Sequence, residues 1–269
     1  QLSRASQGAV ASRVKVFLRW ACWMLVAHAL WAQAEIPLDQ RQSGSVLLSA
    51  SNLALQNDPG LHPASLWLLE GEALWKTPPS SNAPSCASCH GDAQTSMRDV
   101  ATKYPRPRGA QLQNLEGQIN QCRVQRQQQP AWLWESAPLL SVTSWVAHQA
   151  KGKAIDDFAS PHLKADLAAG RDLFFQRMGQ INLSCAQCHD QRWGQKLAGV
   201  VIPQAHPTGY PLYRLEWQGV GSLQRRLRNC MNAVRAEPYA QGSLELTRLE
   251  LYLMWRARGM PLESPALRP

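Results

Sequence analysis

The sequence is short of several things, and each shortage excludes something. Its 269 residues contain no apolar run of about 20 residues, the length a helix needs to cross a bilayer. No alternating apolar and polar stretch is long enough to build a sheet, which points to an all-α chain. Charged residues make up only 17% of the chain, but hydrophobic residues reach 45%, which excludes wholesale disorder. Seven cysteines are too few for a disulfide-dense mini-protein of this length. They are also an odd number, so one is left over if pairing is their use.

The first 34 residues lack any acid. Arg4, Arg13, Lys15 and Arg19 precede a twelve-residue apolar stretch from Trp20 to Trp31, interrupted only by His28. Ala32-Gln33-Ala34 follows, the small-x-small pattern of a signal-peptidase site. This order of basic, apolar and cleavable parts predicts a secretory signal peptide over 1–34, with an apolar part too short for an anchor. Its removal takes four basic residues and Cys22 away. The remainder has 24 Lys+Arg against 19 Asp+Glu, a net +5, and six cysteines. That balance makes no case for nucleic acid, and after cleavage nothing argues for a membrane. The expected location is the periplasm, where disulfides and covalent haem attachment are both allowed.

Two pentapeptides carry the chemistry. Cys86-Ala87-Ser88-Cys89-His90 and Cys185-Ala186-Gln187-Cys188-His189 both read C-x-x-C-H. The two thiols of such a motif add to the vinyl groups of haem, and the adjacent histidine reaches the iron from one face. Zinc could use the C-x-x-C pairs, but tetrahedral zinc does not require a histidine directly after each. A thioredoxin-type motif expects a preceding strand, and none is patterned here. Cys86, Cys89, His90, Cys185, Cys188 and His189 are therefore expected to hold two covalently attached haem c groups.

The motifs lie 99 residues apart, and an internal repeat surrounds them. Gly71-Glu72-Ala73-Leu74-Trp75 and Gly170-Arg171-Asp172-Leu173-Phe174 each start 15 residues before a motif. Downstream, Leu115–Cys122 matches Leu223–Cys230, with apolar residues seven and three positions before each cysteine. That is helical spacing. Ala150-Lys151-Gly152 matches Ala257-Arg258-Gly259 at the ends of two apolar stretches, 139–150 and 244–257. The predicted architecture is all-α: two tandem cytochrome c-like haem domains related by the repeat, over 35–153 and 154–269. Loops are expected over 59–63 and 154–161.

Each iron needs a sixth ligand or a vacant site. His62, His148, His162 and His206 are available, as are Met97, Met178, Met231, Met254 and Met260. Methionine would raise the potential and a thiolate would lower it. Cys122 and Cys230 could form a disulfide in an oxidising compartment. Their equivalent places in the repeat favour separate ligation, because a disulfide needs Cα atoms within about 7 Å. Both readings stay open on the residues alone. Trp132, Trp134, Trp145 and Trp255 read as haem-packing core rather than an electron path.

The two motifs, each with a later cysteine, resemble the SoxA family, the diheme cytochrome subunits of the periplasmic sulfur-oxidising (Sox) system. Residues 229–238 around Cys230 are the most specific part of the likeness, and 251–260 fit too. The resemblance covers the chain from about residue 60 onward. It implies an L-cysteine S-thiosulfotransferase, in which thiosulfate is oxidatively coupled to a cysteine of a SoxYZ-like sulfur-carrier protein. It further implies a SoxX-like monohaem cytochrome partner and a soluble c-type electron acceptor. His90 and Cys122 would then ligate the first iron, and His189 and Cys230 the second. Cys230, as thiolate or persulfide, would be catalytic. Rival readings are a plain diheme electron-transfer cytochrome, a diheme peroxidase, and a module in which Cys122 and Cys230 form a switchable disulfide.

The repeat offers its own comparison of the two sites. Arg226 lies four residues before Cys230, where the first half has Gln118 before Cys122. Arg256 stands opposite Gln149. Thiosulfate is a dianion, and guanidinium groups hold oxyanions with directed donors. Arg226 and Arg256 are therefore expected to hold the substrate at the second haem, leaving the first as an electron relay. The alternative is that both pair with haem propionates or acids.

Overall fold

The structure, a computed structural model, describes residues 36–109, 111–197 and 199–269. The signal peptide expected over 1–34 lies outside the described residues. The chain divides into two units, residues 1–40 and 41–269. The described part of the first holds a short 3-10 turn, Leu38–Gln40.

In the second unit the repeat becomes a duplicated helix crossing. Helix α1 (Ala50–Asn57) leads into α2 (Ser65–Lys76), followed by the one-turn helix α3 (Cys86–His90) and the short α4 (Ala93–Ser96). Next come α5 (Leu115–Gln125) and α6 (Ala137–His148). The second half repeats the order of α2, α3, α5 and α6 with α7 (Lys164–Phe175), α8 (Cys185–His189), α9 (Leu223–Ala233) and α10 (Leu244–Arg256). Helix α2 packs on α6, and α7 packs on α10. Glycine makes both crossings close. A Cβ on Gly71 would lie 2.1 Å from the Ser141 carbonyl oxygen, and one on Gly170 would lie 2.0 Å from that of Arg248. The aromatic residue one turn later, Trp75 or Phe174, is buried in a hydrophobic cluster.

The all-α expectation needs correcting. Strands β1 (Arg106–Arg108) and β2 (Gln111–Gln113) form an antiparallel pair directly before α5. Strands β5 (Leu212–Arg214) and β6 (Gly219–Gly221) do the same before α9, and β7 (Ala266–Arg268) joins β5 in parallel. Between the second motif and that sheet lies a further hairpin, β3 (Lys196–Leu197) with β4 (Val200–Val201). Strands of two or three residues are too short to show alternation, which is why the sequence pattern missed them. Pro107 and the glycines at 219 and 221 also mask β propensity.

The expected helices are present. The stretch over 139–150 is helical to His148 and then turns, and the second apolar stretch ends its helix at Arg256. Segments 59–63 and 154–161 lie outside regular helices and strands, apart from a bridge at Ala154 and the 3-10 turn starting at Pro161. The two halves share one core. Trp75, Met97, Tyr104, Val142 and Val146 cluster with Leu251, Met254 and Leu262. A second cluster gathers Phe174, Leu227, Met231, Leu249 and Tyr252. Residues from Arg41 to α1 lie against the second half. Arg41 Nη1 donates to the carbonyls of Arg256 and Arg258 at 2.7 and 2.8 Å, and Gln56 Oε1 accepts from Leu267 N at 3.0 Å. Among the described residues no helix is long and apolar enough to cross a membrane.

Candidate functional site

A single helical turn does not hold itself, so each motif turn is capped. Ser85 Oγ accepts from Ser88 N at 3.0 Å, and Ser88 Oγ accepts from Ser85 N at 3.1 Å. In the second half, Ser184 Oγ accepts from Gln187 N at 3.3 Å, and Gln187 Oε1 accepts from Ser184 N at 2.9 Å. These reciprocal caps satisfy donors that the turn would leave open. They also set the two thiols of each motif, three residues apart, on one side of the turn.

The cysteine helices each meet the motif of their own half. Burial pushes the Cys86 thiol up to about 11, and Cys122 is the next cause in the same direction. Burial likewise pushes the Cys185 thiol up to about 12, with Cys230 the next cause. The six cysteines at 86, 89, 122, 185, 188 and 230 are all free thiols. Cys122 and Cys230 therefore do not form the disulfide that compartment alone allowed.

The two motif histidines are held differently. His189 Nδ1 lies 2.6 Å from the Pro203 carbonyl. A carbonyl cannot donate, so Nδ1 carries the proton and Nε2 keeps its lone pair, the form a metal takes. Burial first, then the Arg226 and Arg256 cations, hold the His189 pKa below its ordinary value despite the bond to Pro203. His90 is exposed, with its ring centroid 5.7 Å from that of Trp75. Trp75 Nε1 donates to the Gly91 carbonyl at 3.1 Å, fixing the residue that ends the first turn.

The two arginines part company. Arg226 is half-buried, one helical turn before Cys230, and its side chain makes no hydrogen bond or ion pair among the described residues. Its charge is felt at both His189 and Tyr210. Arg256 does not stand free as expected. Its side chain is 3% exposed, and its Nη2 is bound to Asp190 Oδ1 at 2.6 Å. The guanidinium carbon lies 4.6 Å from the Phe174 ring centroid. Its Nε and Nη1 remain without a protein partner. The pairing with an acid is thus the arrangement present at Arg256. Trp132, Trp134, Trp145 and Trp255 are all half-buried, and Trp132, Trp145 and Trp255 pack against the core cluster that the two halves share.

Several residues at this site had no mark in the sequence pattern. Asp190 follows the second motif directly, where Gly91 follows the first, and that contrast was the available signal. His206, given no role from sequence, is buried, and its Nδ1 lies 2.9 Å from the Gln42 carbonyl. Burial above all holds its pKa down to about 4, so its ring is neutral, and Arg256 and His189 act on it in the same direction. Tyr210 lies within reach of the charges of Arg226 and Cys230.

Free thiols paired on a capped turn, a histidine with its Nε2 lone pair available, and two orphaned guanidinium donors beside the second turn fit covalent haem. Among the described residues no three histidine, cysteine or acidic side chains converge as a metal cage, which leaves the zinc reading without a site. Fold and donor set together define a c-type cytochrome with haem bound through thioether links.

Comparison with known proteins narrows the class. The family model described as "SoxA/TsdA, cytochrome c domain" matches twice, over residues 70–155 and 169–262. The chain is 33% identical over 235 residues to the L-cysteine S-thiosulfotransferase subunit SoxA of Pseudaminobacter salicylatoxidans, covering 86% of this chain and 82% of that one. It is 29% identical to the protein of the same name from Rhodovulum sulfidophilum, covering 86% and 81%. Among solved structures, SoxXA from P. pantotrophus superposes with a TM-score of 0.83 at 28% identity, covering 86% of this chain and 88% of that one. The chain belongs to the SoxA/TsdA cytochrome c family.

Proposed function

We propose that this protein is the catalytic diheme subunit of an L-cysteine S-thiosulfotransferase. The observation that carries the reading is Arg226, a half-buried guanidinium with no protein partner, one turn before the free thiol Cys230. The names of its relatives and of its structural neighbour support the same activity. We read the chain as a signal peptide over 1–34, a haem domain over 35–153 and a second over 154–269, acting in the periplasm. Cys86 and Cys89 would attach the first haem, with His90 and Cys122 at its iron. Cys185 and Cys188 would attach the second, with His189 and Cys230 at its iron. When bound, haem supplies one-electron acceptors of a potential that a thiolate ligand keeps low.

The coupling is R–SH + S2O3²⁻ → R–S–S–SO3⁻ + H⁺ + 2e⁻, where R–SH is a cysteine of the carrier protein. The thiol S–H bond breaks, a sulfur–sulfur bond forms, and two electrons leave singly for a soluble c-type acceptor. Arg226 would hold the thiosulfate oxyanion with directed N–H groups beside Cys230. Cys230, as thiolate or persulfide, would pass sulfur by exchange chemistry of the thiol–disulfide kind. Arg256 would keep Asp190, and with it the end of the motif turn, in place through their ion pair. The partners read from the relatives are a SoxX-like monohaem cytochrome and a SoxYZ-like carrier.

Alkylation followed by mass spectrometry tests the assignment of the cysteines. The expected outcome is no peptide linking Cys122 to Cys230, and a population of the Cys230 peptide heavier by one sulfur. A linked peptide, lighter by two hydrogens, would overturn it.

A further inference from the structure

The position four before each cysteine separates the two halves in a way that reaches beyond substrate binding. Gln118 Nε2 donates to Cys122 Sγ at 3.2 Å. Both side chains lie on one face of α5, as i,i+4 spacing requires. The other end of the amide, Oε1, is buried and has no hydrogen-bond partner. Nothing except the sulfur therefore orients this amide, and turning it over would set its oxygen against an electron-rich sulfur. The Cys230 sulfur accepts no hydrogen bond among the described residues, and one turn before it stands Arg226, whose guanidinium has no partner among them.

We infer that Gln118 is a positioning residue that caps the Cys122 sulfur and makes the first site an electron relay closed to sulfur chemistry. The inference rests on the reading of Cys122 as ligand to the first haem. A hydrogen bond to a thiolate draws density from the lone pair that would attack sulfur. It also stabilises the more electron-rich, reduced state of a metal that the thiolate binds, and so raises its potential. At Cys230 the lone pair is left uncapped, which sulfur transfer requires. One residue type at one helical position thus sorts the two duplicated sites: an amide where electrons pass, a guanidinium where sulfur does.

The test is a redox titration of the complete protein, with both haems and its partner cytochrome, followed by electron paramagnetic resonance. Gln118→Met keeps the volume and removes the donor, and Gln118→Glu replaces the donor with a repelling carboxylate. The first haem should move to lower potential in both variants, more in Gln118→Glu, while the second haem stays where it was. For Gln118→Met the oxidised-to-reduced ratio of the first haem at fixed ambient potential should rise about fivefold, the worth of one hydrogen bond. A purely structural role would lower the melting temperature and leave the midpoint unmoved, and that result would overturn the inference. Cys122→Ala identifies the signal of the first haem and separates the two claims. If its low-spin spectrum is unchanged, the ligand reading falls and the inference with it. If the spectrum changes but Gln118→Met leaves the midpoint in place, the inference alone falls.

Discussion

A guanidinium serves a dianion only through N–H groups that are not already committed. Arg226 keeps all of its donors. Arg256 gives one to Asp190 at 2.6 Å and stacks over Phe174. A buried ion pair costs about 3 to 5 kcal/mol to break from one side, so Arg256 is tied to the integrity of the second site. The pair also places an acid against the turn that ends in His189. Sequence comparison of the two halves found both arginines, because the repeat aligned each with a neutral amide. It gave no view of Asp190 as a partner, since no spacing marks an ion pair formed across 66 residues. The bond from Gln118 to Cys122 was legible only as a shared helix face, and the amide's direction needed three dimensions.

At the scale of elements, the duplicated glycine crossing carries both sites. Ser141 and Arg248 present backbone carbonyls to Gly71 and Gly170, and backbone cannot rotate away as a side chain can. Gly170→Ala should therefore push α7 off α10 and cost about 1 to 3 kcal/mol, the usual range for overpacking. Thermal denaturation followed by circular dichroism should show a lowered melting temperature, and a variant as stable as wild type would contradict the crossing. The Gly-x-x-Leu-aromatic repeat was readable before the structure because helices print a period of 3.6 residues. The short strands were not, since three residues print no period. Their role emerges only in space: the β1–β2 and β5–β6 pairs each deliver the chain to an N-cap, Asn114 or Ser222, that starts a cysteine helix.

Across the whole molecule, the two halves meet through a pair of buried acids. Glu250 of α10 accepts from Asn114 Nδ2 at 3.1 Å, with Gln224 beside it, and Glu116 lies close by. Asn114, Glu116 and Glu250 line a small cavity, about 60 Å³, together with Tyr104 and Tyr210. Burial pushes Glu116 up to about 7 and Glu250 well above its ordinary value, and Glu116 raises Glu250 further. Glu135 acts on both in the same direction. Carboxyls with raised folded pKa values favour the folded state in full below the unfolded value, near 4.5, and lose that contribution as pH rises through the folded one. Guanidinium denaturation should thus give a lower midpoint at pH 8 than at pH 5. Glu250→Gln, which keeps an acceptor for Asn114, should gain about 1 to 3 kcal/mol at pH 8 and flatten the dependence. An unchanged slope in that variant would contradict the buried pair. Nothing in the sequence joined Glu116 to Glu250, because the contact exists only once the halves share a core.

The central claim is that sulfur transfer takes place at Cys230 with Arg226 holding thiosulfate. It is tested most directly by thiosulfate-dependent reduction of a cytochrome acceptor by the intact complex, in the presence of the carrier-protein thiol. Wild type, Cys230→Ala and Arg226→Met should all retain their covalent haem. Cys230→Ala should lose turnover, and Arg226→Met should lose about 100-fold in kcat/KM, the cost of one oxyanion donor set. Turnover by Cys230→Ala at the wild-type rate would contradict the account.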